Sequence, residues 1–299
     1  MHTLLRLLLA LLLPSVAQGA TLLSETFEGS CDTILSRSYS QSYSGFPCTG
    51  GPMSIVTSPL FAGSQSLRLN YLGTEEQGLA GGFADFIWSG TTADLWLTFY
   101  NRMASGFKTG ADPYFNDGGR SVGTKGLYTF MYSPAKNQWN GWSMNYLYGG
   151  RQLAMGAQGI KDAHNNSGVL VPYDSEWMQQ NVQPYQQPFD QWVCYEVHIR
   201  LNTPGQANGL YEQYATNMTA GTGTILTARH SNREFLDSTT SGQMPSDAQW
   251  KMSRIFRQNG YGSMYYDNIS ATTTRIGCSG TPPAGDTTPP ARPNGLTAQ

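Results

Sequence analysis

Apolar and polar residues alternate along much of this chain, and that alternation constrains the fold more than any other feature. Successive side chains of a β-strand point to opposite faces, whereas an amphipathic helix repeats its apolar residues about every 3.6 positions. No window of the sequence keeps the helical period for three turns. The alternation predicts eight strands: Ser66–Tyr71, Leu95–Met103, Leu127–Tyr132, Trp142–Tyr148, Val193–Asn202, Leu210–Ala215, Trp250–Arg257 and Ser263–Ala271.

Clusters of Gly, Asn, Pro and Ser separate the predicted strands, as tight connections require. Many short antiparallel strands in one chain favour a sandwich of two sheets over an up-and-down barrel. We therefore expect an all-β protein in which two antiparallel sheets stack on each other.

The charge balance excludes two classes of partner. Lys and Arg number 18, Asp and Glu number 20, and the formal net charge is −2. Such a chain has no electrostatic reason to bind nucleic acid or an acidic membrane. Its hydrophobic content of 39% and aromatic content of 12% suffice for a buried core, which argues against disorder.

Residues 1–20 have the pattern of a secretory signal peptide. The Leu-rich run from Leu4 to Leu13 is interrupted only by Arg6, and it is shorter than the ~20 apolar residues that span a bilayer. Ala17-Gln18-Gly19 fits a small-x-small cleavage site, with cleavage after Ala20 as an alternative. We expect a secreted, extracellular protein without a membrane anchor.

Four cysteines follow the leader: Cys31, Cys48, Cys194 and Cys278. An even number in an exported chain predicts two disulfides, although four cysteines permit three pairings. We favour a local Cys31–Cys48 bond and a Cys194–Cys278 bond that joins two strands. Because the cysteines lack CxxC spacing, the sequence gives no indication of a zinc site.

The clearest strand runs from Trp192 to Asn202. Its odd-numbered residues from Val193 to Leu201 are apolar and can enter the core, so its even-numbered residues point the other way. Glu196, His198 and Arg200 then form a polar row that one extended ligand can reach. The alternative interpretation is a solvated face with a cross-strand ion pair.

The tail differs in composition from the rest of the chain. Residues 280–299 begin as a Pro/Thr-rich linker, and Asp286–Thr297 resembles the opening of a fibronectin type III domain. We therefore expect a sandwich domain over residues 21–279, followed by the start of another module in a longer protein.

Three segments together resemble the concanavalin A-like jelly rolls, and in particular the secreted polysaccharide lyases of families 14 and 20. Ser24–Gly29 resembles the opening strand, Trp192–Gly209 a central strand and turn, and Tyr265–Ile269 followed by Arg275–Cys278 the closing strand. The resemblance covers residues 22–278 and implies a jelly-roll β-sandwich. Noncatalytic laminin G-like modules share the first and last of these signatures.

In those lyases one strand carries a Lys in a Gly-Gly-Lys-x-Pro-Gly-like motif that lies in the substrate groove. The matching segment here is Val122–Leu127, which places Lys125 in that role. It departs from the pattern, because Gly-Thr replaces Gly-Gly and the Pro-Gly step is missing. The resemblance also implies groove residues on the next strand, where Trp142, Tyr146 and Tyr148 share a face.

A uronate-cleaving lyase needs a cation that neutralises the substrate carboxylate and a side chain that moves protons. Lys125 and Arg200 have the chemistry for the first role, and His198 or a tyrosine for the second. The predicted catalytic residues are Lys125, Tyr146, Tyr148, His198 and Arg200, with Trp142, Glu196 and Asn202 as predicted substrate contacts.

Two other functions remain open. In a noncatalytic carbohydrate-binding or adhesion module, Trp142, Tyr146 and Tyr148 stack on sugar rings; in a structural surface protein, the sandwich only spaces other modules. A glycoside hydrolase is disfavoured, since the chain lacks a Glu-x-Asp-x-x-Glu-like pair of carboxylates. We expect a monomer whose partner is a polysaccharide.

The resemblance also implies that the first and last strands pair, which would bring Glu28 close to Asp267. Carboxylates suit Ca²⁺, a hard cation with oxygen ligands. We therefore expect a structural calcium site at these two residues, with a simple strand-end hydrogen bond as the alternative.

Overall fold

The structure is a computed structural model that describes most of the chain between residues 19 and 279. The described ranges are 19–30, 53–72, 83–109, 116–117, 120–121, 124–146, 151–158, 180–241, 244–258 and 260–279. Cys31, Cys48 and Tyr148, the predicted leader up to residue 18 and the predicted C-terminal module lie outside them. Lys125 and Trp142 are described through their backbone.

All secondary structure in the described residues is β. The strands are β1 (Thr21–Glu25), β2 (Met53–Val56), β3 (Ser66–Leu72), β4 (Phe83–Thr92), β5 (Asp94–Met103), β6 (Lys108–Thr109), β7 (Asn116–Asp117), β8 (Arg120–Ser121), β9 (Thr124–Ser133), β10 (Gln138–Tyr146), β11 (Leu153–Gln158), β12 (Trp192–Arg200), β13 (Gly209–Asn217), β14 (Ile225–Arg233), β15 (Gln249–Gln258) and β16 (Gly260–Thr272). No helix in this part of the chain is long and apolar enough to cross a membrane.

The strands form two large antiparallel sheets. The larger sheet has the order β14-β13-β12-β5-β16-β3-β2, and β1 and β6 also pair with β16. The smaller sheet has the order β11-β10-β9-β15-β4, while β7 and β8 form a separate pair. Neighbours that are distant in sequence, such as β5 between β12 and β16, give the crossovers of a jelly roll. The predicted jelly-roll sandwich of two antiparallel sheets is confirmed.

The core lies between the two sheets and follows from the alternation. On β12 the odd-numbered apolar residues, from Val193 to Ile199, are fully buried in it. From the smaller sheet, Leu127 and Met131 of β9 and Met144 of β10 reach the same cluster. Each sheet therefore has an inner face in the core and an outer face on the opposite side.

All eight predicted strands are confirmed, with bounds that move by a few residues. The implied pairing of first and last strands is also observed, since Glu25 of β1 lies opposite Ile269 of β16. Glu28 itself lies three residues beyond the end of β1.

Candidate functional site

The polar row of β12 lies on the outer face of the larger sheet, but most of it is covered. Glu196 is 1% exposed and His198 is 9% exposed, while Arg200 at the strand end is exposed. The prediction that these side chains face away from the core was correct. The prediction that one extended ligand reaches all three of them was wrong. The reason is a contact with a distant part of the chain.

Glu196 is held by Arg275, which follows the last strand. Arg275 Nε lies 3.0 Å from Glu196 Oε1, and Nη2 lies 2.8 Å from Oε2. The guanidinium also packs over the rings of Tyr214, at 4.1 Å, and Trp96, at 5.4 Å. The Glu196 carboxylate is therefore held in an ion pair. The arginine of this pair comes from the segment after β16 rather than from a neighbouring strand.

Residues 273–279, here called the return segment, cross the outer face of the larger sheet. The predicted Cys194–Cys278 disulfide is confirmed and fastens the segment to β12. The Tyr100 hydroxyl donates to the Ser279 carbonyl at 2.6 Å and accepts from the Ser279 N–H at 2.8 Å. These contacts, together with Arg275, remove Glu196 from solvent.

His198 is fixed between two carboxylates. Its Nε2 lies 2.7 Å from Asp94 Oδ1, its Nδ1 lies 3.2 Å from Glu212 Oε2, and its ring stacks on Trp96 with centroids 4.1 Å apart. Each ring nitrogen of His198 therefore lies within hydrogen-bonding distance of one carboxylate oxygen. His198 thereby ties together β5, β12 and β13.

The ion pairs continue from Glu212 to β14. Arg229 Nη2 lies 2.6 Å from Glu212 Oε1. Partial burial acts to raise the pKa of Glu212, but hydrogen bonds from His198 and Arg229 outweigh it and hold that pKa below its usual value. The chain Arg229–Glu212–His198–Asp94 is a charge network that joins four strands.

Asn202 also has a structural role in the described residues. It lies two residues beyond β12, is 4% exposed, and accepts the N–H groups of Phe235 and Leu236 at 2.7 Å each. Its Nδ2 donates to the Leu236 carbonyl at 3.0 Å. The Asn202 side chain hydrogen-bonds to the loop at Phe235 and Leu236. This position does not support the prediction that Asn202 contacts substrate.

Tyr146 points into the core. Its hydroxyl donates to Asn101 Oδ1 at 3.0 Å, and Gln187 Nε2 donates to the same oxygen at 2.6 Å. Tyr195 completes the network through a 3.2 Å bond to Gln187 Oε1. Burial raises the pKa of Tyr146 well above its usual value. The predicted role of Tyr146 on an open groove face is therefore wrong: alternation sends this side chain between the sheets.

Lys125 and Trp142 belong to the smaller sheet. Lys125 in β9 lies opposite Asn145 of β10 and Gln258 of β15, and Trp142 of β10 lies opposite Thr129. His198 and Arg200 belong to the larger sheet. The described members of the predicted catalytic set are thus divided between the two sheets, with Lys125 placed by its backbone.

The outer face of the smaller sheet carries a row of aromatic rings, here called the aromatic stripe: Tyr128, Phe130, Tyr132, Trp139 and Phe256. Along β9 they alternate with residues of the core. Tyr128 and Phe130 lie with centroids 6.1 Å apart and planes at 17°, and Tyr132 packs on Trp139 at 4.9 Å. Phe256 meets Tyr128 edge-on at 5.6 Å. Trp139 is 41% exposed and forms the open end.

Two local features hold the stripe in place. A Cβ on Gly141 would lie 2.5 Å from a ring carbon of Phe130, so the glycine of β10 makes room for this ring across the neighbouring strand. The Tyr132 hydroxyl donates to Asn137 Oδ1 at 2.8 Å, in the turn between β9 and β10. Asn137 adopts a φ of 50°, which Asn tolerates better than most residues.

One ion pair borders the stripe. Arg254 binds Asp85 through two contacts, Nε–Oδ1 at 2.5 Å and Nη2–Oδ2 at 2.7 Å, and its guanidinium lies 5.0 Å from the Phe130 ring centre. Burial raises the pKa of Asp85, although the bond from Arg254 opposes this. The site thus combines aromatic surface with a fixed polar group at its edge.

Sequence reasoning missed the stripe, although its signal was present. Aromatic residues occupy every second position from Tyr128 to Tyr132, within a strand that was predicted. Leu127 and Met131 make the other face apolar too, so the periodicity alone did not say which face was solvent-facing.

Glu28 and Asp267 lie in the region where sequence reasoning placed a cation. Asp267 Oδ2 accepts the N–H groups of Phe61 and Ala62, at 3.1 and 3.2 Å. Burial raises its pKa to about 7, and the nearby charge of Glu28 adds to the rise. Within the described residues no group of three or more His, Cys, Asp or Glu side chains could hold a metal ion.

Comparisons with known proteins find structures with a similar fold but no relative by sequence. No protein-family model matches the chain, and a search of curated proteins finds no relative. The chain is similar to the marine PL-14 alginate lyase from Aplysia kurodai, with a TM-score of 0.51 and 13% identity over 84% of this chain and 98% of that chain. The protein Cip1 gives 0.49 at 15% identity, over 86% and 100%. Lectin I from Ulex europaeus gives 0.36 at 11%, over 78% and 96%.

The alginate lyase gives a TM-score just above one half, and at 13% identity the likeness concerns the fold. Function must then be argued from the site, because one fold supports many activities. The chain has a jelly-roll fold, which its two antiparallel sheets and the likeness to the alginate lyase both show.

Proposed function

We propose that this protein is a secreted, monomeric polysaccharide-binding module whose ligand lies along the aromatic stripe. The observation that carries the proposal is the row of rings on the outer face of the smaller sheet, in which Trp139 is exposed, Phe130, Tyr132 and Phe256 are half-buried, and Tyr128 is buried beneath them. The C–H faces of a pyranose ring pack on aromatic faces, and a few polar groups at the border give orientation.

The dimensions of the stripe suit an extended chain. Because Tyr128 is only 4% exposed, the part of the stripe that reaches solvent follows β9 from Phe130 to Tyr132, two residue steps or about 7 Å at ~3.3 Å per residue. Trp139 lies beside Tyr132 and extends the surface towards the β9–β10 turn. A short oligosaccharide within a longer polymer has the right length to cover the rings that reach solvent, from Phe130 to Trp139.

The rings are also pre-ordered, which reduces the entropy lost on binding. Gly141 admits the Phe130 ring, and the Tyr132 hydroxyl is bonded to Asn137. By contrast, the return segment covers much of the outer face of the larger sheet through Arg275 and Cys278. The Cys194–Cys278 disulfide also supports an oxidising, extracellular location.

The test is binding to a panel of alginates, glucuronans, pectins and neutral β-glucans, measured by affinity electrophoresis and calorimetry. Trp139→Ala should weaken binding about tenfold or more, as expected for a stacked aromatic anchor. Tyr261→Ala is the matched control, since Tyr261 is an aromatic side chain with a similar exposure of 40% in β16 of the other sheet. Equal affinities for wild type and Trp139→Ala would rule out the stripe.

A second candidate is β-elimination of an acidic polysaccharide, as the fold of the alginate lyase suggests. The observation in its favour is that Lys125 lies in β9, three residues before Tyr128 of the stripe. A cation there would neutralise the carboxylate of a uronate bound on the rings. Unsaturated uronate, detected by its ultraviolet absorbance and lost in Lys125→Ala, would support this activity; binding without new absorbance would leave the module noncatalytic.

We also propose that Ca²⁺ binds between Glu28 and Asp267 and ties β1 to the turn before β3. The residues fit a hard cation in one respect: the charge of Glu28 contributes to the raised pKa of Asp267, and a cation would relieve this. Their described partners are N–H and O–H donors, including Ser64 Oγ at 2.6 Å from Glu28 Oε2, so further ligands would have to be carbonyls or water. A calcium-dependent rise in melting temperature that Asp267→Asn abolishes would test the site.

A further inference from the structure

A second cluster of polar side chains lies on the outer face of the larger sheet, away from the aromatic stripe. Ser54 of β2, Arg68 of β3, Tyr265 of β16 and Arg102 of β5 are consecutive cross-strand neighbours. Each points away from the core, because the residues beside them, such as Leu67 and Leu69, are fully buried in it. The four side chains therefore form one row across the sheet.

The side chains of Arg68 and Ser54 in this row each contain a buried polar atom. Arg68 Nε and Ser54 Oγ are both buried, and among the described residues neither has a partner. Directly opposed residues on paired strands have Cβ atoms about 5 Å apart, so one small group can reach both side chains. A buried donor whose hydrogen bond is unmet destabilises the fold, and more so if it is charged. Such a pair of donors indicates a missing acceptor.

The charges of the row favour an anionic acceptor. Arg68 and Arg102 flank Tyr265 on its two sides. Arg102 lies 3.5 Å from Asp190, whereas Arg68 forms no ion pair in the part of the chain that the structure describes. Tyr265 is 2% exposed and forms the floor between the two guanidiniums, while Arg68 is half-buried and reaches solvent. The open side of the row is thus cationic.

We propose that Arg68 and Ser54 bind an oxyanion, namely a carboxylate, sulfate or phosphate group of a ligand. The planar guanidinium donates two parallel hydrogen bonds to such a group, and the Ser54 hydroxyl supplies a third donor. The ligand enters from the solvent side of Arg68. This site lies on the sheet opposite the aromatic stripe, so it does not depend on the proposed function.

The probes are sodium sulfate, sodium phosphate and sodium glucuronate, each compared with sodium chloride at the same ionic strength. Melting temperature and calorimetry are measured on the full chain for wild type, Arg68→Gln and Arg200→Gln. The last variant removes the same charge from an exposed arginine of the same sheet. Wild type and Arg200→Gln should bind at least one oxyanion saturably, and Arg68→Gln should bind it about tenfold more weakly or worse.

Further arms separate the sources of the anion. Sulfated and uronate oligosaccharides that bind more tightly than the free ions would identify a glycan-borne group; equal or weaker binding would identify a free ion. Ser54→Ala should weaken binding by a smaller factor than Arg68→Gln, and Arg68→Lys should restore part of it. An oxyanion response unchanged in Arg68→Gln, or no response beyond chloride in wild type, would overturn the proposal and leave an ordered water at these atoms.

Discussion

Arg275 and Glu196 form a two-point ion pair, with contacts of 3.0 and 2.8 Å, between the return segment and the centre of β12. The carboxylate side chain is 1% exposed, whereas the guanidinium side chain is 40% exposed. Because the acid is buried and the base reaches solvent, the two partners are not equivalent. Removal of the arginine leaves a buried charge behind.

Arg275→Gln should therefore lower the free energy of unfolding by roughly 1–3 kcal/mol, a figure reduced to allow for the solvent exposure of the arginine. The measurement is urea denaturation. Adding Glu196→Gln to this variant should recover part of the loss, because the uncompensated charge disappears. A double variant less stable than Arg275→Gln would contradict this account.

His198→Ala distinguishes a structural histidine from a catalytic one. Because both ring nitrogens contact carboxylates, of Asp94 and Glu212, the variant should lose roughly 1–3 kcal/mol of stability. Binding to glycans at the aromatic stripe should be unchanged, since His198 lies on the other sheet. Loss of binding or of lyase activity in a variant that remains fully folded would assign His198 to the site.

Asp267 should make stability depend on pH. Its pKa is about 7 in the folded chain, compared with about 3.9 in an unfolded chain. Between these values the folded state binds more protons than the unfolded state, so stability should fall as pH rises from about 4 to about 7 and then level off. The fall should be roughly 2–4 kcal/mol in denaturation experiments without calcium.

Asp267→Asn provides the control, because an amide does not titrate and the fall over that window should disappear. If calcium binds the ionised carboxylate, adding it should raise the melting temperature more at high pH than at low pH. A pH profile identical in wild type and Asp267→Asn would show that other groups are responsible.

Gly141→Ala should weaken glycan binding without removing any aromatic ring. The new methyl group would lie 2.5 Å from a ring carbon of Phe130, so this ring must move from its place in the stripe. We expect a loss of affinity of about tenfold. The matched control is Gly223→Ala, whose Cβ would meet nothing within 4 Å. Equal binding by both variants would mean that the position of Phe130 is unimportant.

Alternation predicted the strands and their faces well because it is a local property. β12 shows this clearly: its odd-numbered residues enter the core and its even-numbered ones face outward. Strands without a clean period, such as β14 with its run from Ala228 to Arg233, were not predicted. Alternation also implied that Tyr146 lies on a groove face, but it did not reveal that this side chain is buried in the core.

The candidate site was harder to predict, because solvent access depends on contacts between distant residues. Glu196 is 79 residues from Arg275, and nothing in the strand sequence reveals that the return segment covers it. The opposite case is Phe130, whose ring is accommodated by Gly141 of the next strand. In both cases the residue that controls the side chain's surroundings, Arg275 for Glu196 and Gly141 for Phe130, lies outside the strand that carries that side chain.

The fastening of the return segment to β12 by Cys278 has a practical outcome for anyone who immobilises or fuses this protein. Ser279 is bonded to Tyr100 on the reverse side of the sandwich from Trp139. A tag, bead or neighbouring module attached at this serine would lie on the side of the larger sheet, so the aromatic stripe would remain free to meet a polymer surface.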